Sequence, residues 1–401
     1  MALIRNISDD LRQRISTILA LSIVPLSGFA TDVYIPSMPS MAGALDIASL
    51  QVQLTLSIFL ISYGIAQLFV GTLLDSFGRY KLGLTALFVF ALANIIIAKT
   101  NNINVIYAMR VIHGIAVAIV VVGKRAYFVD VYKDEQLKNY LSTFTIIWSV
   151  GPIIAPFIGG YLQSSFGWHS NFYFLAIMAG ILACLELLFT RETLKNPLDF
   201  NLKKISITYL EMISNSTFTL GLVMLGLAYS MIMIYNLTGS FIIEHTLELS
   251  PVIIGYSSLF LGFAWTAGGL VGKATINRPF TAKITVNLIL QLAAGLLMLL
   301  SIGRFNSLFV ILFFAFLIHS CAGYTFNNYF TYNLSQFPKN AGIAGGLIGG
   351  VVYVIVSFLS YIIVGILPAK DERNLNYSYL ILIIISVLTI SIASRLKKIK
   401  E

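Results

Sequence analysis

The sequence predicts an all-α integral membrane protein of twelve transmembrane helices in two six-helix bundles, and three observations carry that prediction. Only 11% of the 401 residues are charged, where a soluble domain carries about 25%. Hydrophobic residues make up 58% and mean hydropathy is +0.87, more apolar surface than one water-soluble core of this length hides. Apolar runs of about 20 residues recur with short connections, and at roughly 33 residues per unit the chain holds about twelve of them.

The first apolar run, at about 17–37, follows Arg5, Arg12 and Arg14. It is too long for a signal-peptide core and lacks an Ala-x-Ala exit, so it reads as a retained span. Uncharged windows of about nineteen residues place the next spans at about 51–74, 82–99, 103–126, 140–163 and 171–190. A polar stretch at 191–215 follows, with Arg191, Lys195, Lys203 and Lys204. Beyond it lie spans at about 216–243, 252–275, 282–303, 306–330, 341–367 and 376–394. The chain therefore divides into an N-terminal bundle (1–190), a linker (191–215) and a C-terminal bundle (216–401), the pattern of two tandem six-helix repeats. A β-barrel is disfavoured, because segments such as Leu288 to Leu300 are apolar on consecutive positions and show no alternation.

With an even number of spans both termini share a side. Placing them in the cytoplasm puts 21 of the 26 lysines and arginines there, leaves Lys99, Arg304, Lys370 and Arg373 outside, and leaves Arg110 within a span. The positive-inside rule thus predicts cytoplasmic termini in an inner, cytoplasmic membrane. The net charge of +9 is then spent on orientation and lipid contact, and no basic, aromatic-interleaved segment suits a nucleic acid. Cys184 and Cys321 lie in apolar runs and offer neither a disulfide framework nor a metal site.

Gly71-Thr-Leu-Leu-Asp75-Ser-Phe-Gly78-Arg79-Tyr-Lys81 compresses two glycines, an acid and two cations into a turn between spans two and three, which suits a charge lock. This segment resembles the signature loop of the major facilitator superfamily. Arg110-Val-Ile-His113-Gly114 continues the resemblance, and Gly151-Pro152-Ile-Ile-Ala-Pro156-Phe-Ile-Gly159-Gly160 is similar to the proline–glycine motif of its antiporters. Thr31-Asp32-Val-Tyr34-Ile-Pro36-Ser-Met-Pro39, with Arg125-Ala126 and Asp130, resembles the Bcr/CflA branch of drug:proton antiporters. The resemblance implies the major facilitator fold, alternating access, and a proton as coupling ion with no other cofactor. It implies that Asp75 meets the start of span eleven near Gly342, that Arg79 pairs with Asp130, and that span five lies where the halves meet.

Asp32 stands out on physical grounds, because an acid inside a span costs several kcal/mol unless it is paired, protonated or wetted. Counted from the span ends, Asp32 and Arg110 lie about 10 Å and about 9 Å below the same boundary, so a switchable Asp32–Arg110 interaction is expected to form the proton site; a permanently paired structural couple is the alternative. His113 lies one turn from Arg110, and Lys124 points roughly the same way fourteen residues on. With His319 in span ten, these cations face one comparably placed acid, although Lys124 also suits snorkelling and both histidines suit plain packing. Glu186 and Glu244 lie near span ends and read as wetted. Tyr34, Asn236, Tyr324, Asn327 and Asn328 complete the candidate substrate contacts, with interhelical hydrogen bonding as their competing role. The small-residue steps Gly151, Ala155 and Gly159, and Gly342, Gly346 and Gly350, allow close helix approach.

A nucleotide-driven pump is excluded, since the string ending Gly272-Lys273-Ala274 fails the phosphate-loop pattern. An intramembrane enzyme lacks its zinc motif or acid pair. The expected function is proton-coupled efflux of small amphiphilic molecules by a monomer. Alternatives are export of an endogenous anionic metabolite such as a polycarboxylate siderophore, proton symport for uptake, and a channel.

Overall fold

The computed structural model describes residues 8–197, 202–302, 304, 307–338 and 341–400. Arg5 and Lys339 of the basic count, and part of the 191–215 linker, lie outside these residues. Among the described residues there is no strand, and twelve helical segments are long and apolar enough to cross a membrane.

In chain order these are span one (Asp9–Leu45), two (Ser49–Phe77), three (Arg79–Lys99), four (Ile103–Val131), five (Asp134–Phe166), six (His169–Phe189), seven (Ser216–Thr246), eight (Pro251–Ala274), nine (Phe280–Ser301), ten (Leu308–Gln336), eleven (Gly342–Ile366) and twelve (Glu372–Ile392). Several helices outrun the apolar windows of the sequence. Span five begins at Asp134, whose neighbour Glu135 also sits in its first turn, where acids favour a helix N-terminus. Successive spans run antiparallel, so the termini share one end of the bundle, called here the terminal end; the opposite end is the far end.

Span one is broken where the sequence predicts a continuous helix. It runs helical over Asp9–Ile23 and Leu26–Asp32, passes through a short 3-10 turn at Ile35–Ser37 and resumes over Met38–Leu45. Pro25 caps the second piece, and Pro36 lacks the N–H that would bond the carbonyl of Asp32. The break sits beside the sequence's most conspicuous charge.

Span five holds this broken helix in place. A Cβ at Gly28 would strike Pro152, and one at Gly159 would strike the carbonyl of Val33. On its other side span five meets span eight: Gly160 lies against Pro251, Gly255 against Pro156, and the Tyr161 and Tyr256 hydroxyls are 2.9 Å apart. Spans two and eleven form the second seam between the halves, with Gly64 against the Gly350 carbonyl and Ser357 donating to the Ser57 carbonyl at 2.8 Å. Gly151 and Gly159 of the first small-residue face and Gly350 of the second therefore sit at helix crossings, whereas Gly342 has open space around it.

Between the halves a linker helix runs over Leu202–Ser214. Its Tyr209 hydroxyl donates to the Leu68 carbonyl of span two at 3.0 Å.

Candidate functional site

The site centres on the break in span one. Asp32 is 1% exposed, and its Oδ1 accepts from Asn236 Nδ2 of span seven at 3.2 Å, a contact between the two halves. Its second oxygen is buried without a hydrogen-bond partner. The hydroxyls of Tyr229 and Tyr353 lie within electrostatic reach of the same carboxyl.

The expected direct Asp32–Arg110 pair is absent from this conformation. Arg110 is completely buried and donates from Nη1 to the Ala30 carbonyl at 3.0 Å. Its guanidinium sits 3.9 Å from the Tyr34 ring centroid, with the Phe59 and Phe172 rings at 5.6 and 5.5 Å. A helix about to end leaves carbonyls without helical partners, and together with three ring faces such a carbonyl replaces a carboxylate as Arg110's counterpart. Tyr34 is thereby the platform beneath Arg110, and its hydroxyl is 2.9 Å from that of Thr55.

Lys124 does not line the space between the halves. Its Nζ lies 2.6 Å from Glu186 Oε2 of span six, and Glu186 is 1% exposed. The sequence reading of Glu186 as wetted, and of Asp32 as the one deep acid, is corrected accordingly. Glu244 is half-buried, with Oε1 accepting from Ser40 at 3.2 Å. Both histidines are packed residues: His113 is fully buried against Phe90 with centroids 4.6 Å apart, and His319 Nε2 is 3.0 Å from the Tyr379 hydroxyl within the C-terminal half. Tyr324 is 2.8 Å from Thr275 Oγ1, and Asn328 donates to its own helix at Tyr324. Asn327 remains exposed. Of the candidate substrate contacts, Asn236 and Tyr34 join Asp32 and Arg110, while the others are spent on packing, except Asn327.

A run of rings leads away from Asp32. Tyr63 of span two meets Tyr353 of span eleven at 4.8 Å between centroids, Tyr353 meets Tyr229 at 5.7 Å, and Tyr229 meets Trp265 of span eight at 6.0 Å. Phe326 of span ten stands 5.1 Å from Trp265, with Phe330 one turn nearer the terminal end. Tyr229, Trp265, Phe326, Phe330 and Tyr353 are all partly exposed, which gives an accessible aromatic wall suited to amphipathic surfaces.

At the terminal end the charge lock is formed. Arg79 bridges Asp75, at 2.9 Å, and Asp130. Asp75 thus pairs with its own i+4 neighbour rather than with the start of span eleven, where Gly342 has open space around it. Gly78 turns the chain at φ +94, a conformation that costs glycine nothing. The sequence reading missed Glu192, whose carboxylate accepts from the backbone N–H groups of Arg79 and Tyr80 at 3.0 Å each, at the N-terminus of span three. Its neighbour Thr193 donates to Asp130 at 2.8 Å. Burial raises the Glu192 pKa, but the backbone donors of Leu194, Arg79, Tyr80 and Thr193 outweigh it and hold the carboxyl below its ordinary value. The available signal was an acid directly after a span, in a stretch otherwise rich in cations, Arg191 and Lys195. No group of residues suited to a metal ion occurs among the described residues.

The twelve-helix chain has counterparts among known proteins. The chain is 35% identical over 181 residues, 45% of each chain, to the bicyclomycin resistance protein homolog of Haemophilus influenzae. It is 28% identical over 349 residues to multidrug resistance protein D of Escherichia coli, spanning 84% of this chain and 86% of that one. Its fold superposes on a bacterial homolog of the human lysosomal transporter Spinster, inward-facing and unoccupied, with a TM-score of 0.74, 13% identity and 96% of each chain covered. The nucleoside transporter NupG follows with a TM-score of 0.70 at 15% identity, covering 94% of this chain and 97% of that one. The family model of the Major Facilitator Superfamily matches residues 21–361, across both halves and every motif described above, and the chain belongs to that superfamily.

Proposed function

We propose that this protein is a proton-coupled exporter of small amphipathic molecules, acting as a monomer in an inner membrane with its terminal end in the cytoplasm. The observation that carries the reading is the placement of Asp32. A buried carboxyl sits at a helix break, bonded through Asn236 to the opposite half, at the head of the aromatic wall. Proton binding there alters the tie between the halves, and cargo on the wall feels the change. Relatives named for bicyclomycin and multidrug resistance favour export over uptake, and the concentration of basic residues at the terminal end supports the orientation.

In this cycle Asn236, Gln53 and Ser40 hold the far end closed: Gln53 donates to the Leu237 carbonyl and Ser40 to Glu244, both across the halves. Protonation of Asp32 removes the charge that strengthens its bond from Asn236, and re-opening follows from that loss. The test is purified protein in liposomes with an imposed proton gradient and a panel of amphipathic dyes of both charges. Asp32→Asn is expected to abolish gradient-driven movement of every dye the native protein carries. Full retained coupling in a folded variant overturns the assignment.

A further inference from the structure

Arg125 follows Lys124 in sequence, yet the two side chains serve different sides of span four. Lys124 turns into the N-terminal half and is consumed by Glu186. Arg125 reaches the other way, across the gap between the halves. Its Nη1 lies 3.8 Å from where a Cβ on Gly345 of span eleven would sit, and Leu334 of span ten flanks the same point at 3.9 Å. The residue is exposed to solvent. Among the described residues it has neither an ion pair nor a hydrogen bond. Leu334 is one turn beyond Phe330, so the guanidinium stands at the terminal-end limit of the aromatic wall that starts at Asp32.

We propose that Arg125 is the anchor for an anionic group of the cargo, and that the ligands preferred from the terminal end are aryl or alkyl carboxylates, sulfonates or phosphates. The proposal rests on the export reading above and narrows its substrate class. An exposed, unpaired guanidinium facing the gap between the halves carries five donors in a planar fork that matches a carboxylate or phosphate. Across the gap it faces Gly345, which leaves room, and Leu334 beside that glycine continues the apolar surface. An amphipathic anion satisfies both: its acid meets Arg125 and its apolar body lies on Phe330, Phe326 and Trp265. An organic cation at this point meets like charge in Arg125.

The test uses the full chain in lipid nanodiscs and two probes of matched shape, 2-naphthylacetate and 2-naphthylethylammonium, with binding read by calorimetry and by quenching of tryptophan fluorescence. The native protein is expected to bind the carboxylate at least roughly ten-fold more tightly than the ammonium, with affinity falling as salt rises. Arg125→Gln should lose that preference, and Arg125→Lys should restore part of it, since the charge returns without the fork. Thermal unfolding of each variant separates lost binding from lost fold. Equal or tighter binding of the ammonium by the native protein, or an unchanged carboxylate affinity in folded Arg125→Gln, overturns the proposal. Failure of the export reading has a different signature: the carboxylate binds as expected but no proton gradient drives its flux.

Discussion

Lys124 Nζ and Glu186 Oε2 stand 2.6 Å apart between spans four and six, with their side chains 10% and 2% exposed. An ion pair so deep is a poor source of net stability, because desolvation consumes most of its attraction. Removing one partner is a different matter, since the other is left charged and alone. Lys124→Met is expected to cost about 3–5 kcal/mol, whereas Lys124→Met with Glu186→Leu should recover most of the loss. Unfolding midpoints of the single and double variants in one detergent check this. If the double variant is no more stable than the worse single one, the pair is not the element holding this region.

The tie between Asn236 and Asp32 predicts a second coupling. Asn236→Leu leaves both Asp32 oxygens without a protein partner and should cost about 1–3 kcal/mol. In Asp32→Leu the same second change should cost less, because no buried carboxyl remains to be deserted. A double-mutant cycle on thermal stability measures the difference. Strict additivity would show that the 3.2 Å contact carries no energy.

How much of this was readable in advance depended on whether a residue answers to the membrane or to another side chain. The spans and the tandem halves were legible, because lipid requires about 20 apolar residues per crossing, and the Arg79–Asp130 lock was legible through the resemblance of the Gly71–Lys81 loop to a known signature. Partner choice was not. From Arg110, Lys124 is about 40° short of whole turns and Arg125 about 60° past them, offsets too similar in size to say which of the two faces the gap. Only folding shows that one pairs with Glu186 and the other faces the gap. The direct Asp32–Arg110 pair failed for a similar reason: equal depth was correct reasoning about the axis, but the break in span one supplies Arg110 with a carbonyl and an aromatic bed instead.

Glu192 predicts an acid-side dependence. Its folded pKa is depressed by backbone donors, so its contribution is complete above the ordinary carboxylate range and is lost as pH falls through the folded value. Glu192→Gln should therefore be less stable than the native protein at neutral pH, by no more than about 1 kcal/mol because the group is well exposed to screening solvent. The gap should close as pH drops below about 4.3. Unfolding midpoints between pH 7 and pH 4 test the sign. A gap that widens in acid would mean that burial, not the span-three N-terminus, governs this carboxyl.

Glycines of the two motifs separate into those that touch the site and those that do not. A Cβ at Gly159 would collide with the carbonyl of Val33, the residue after Asp32, at the point where span one has lost its helical order. The backbone there cannot yield without moving the carboxyl, because Pro36 already denies it a regular helical bond. Gly71, by contrast, has nothing within 4 Å of where its Cβ would sit. Gly159→Ala is thus expected to reduce proton-driven flux by an order of magnitude or more, the outcome when a misplacement of about 1 Å reaches a reacting group, and to lower the unfolding midpoint as the overpacked crossing gives way. Gly71→Ala should fold with native stability, and any effect it has on flux must arise in another conformation. Parallel measurements of flux and unfolding midpoint on the two variants decide the matter. Should Gly159→Ala transport at the native rate, the close approach of span five to the break does not position Asp32, and the role of the proline–glycine helix reduces to packing.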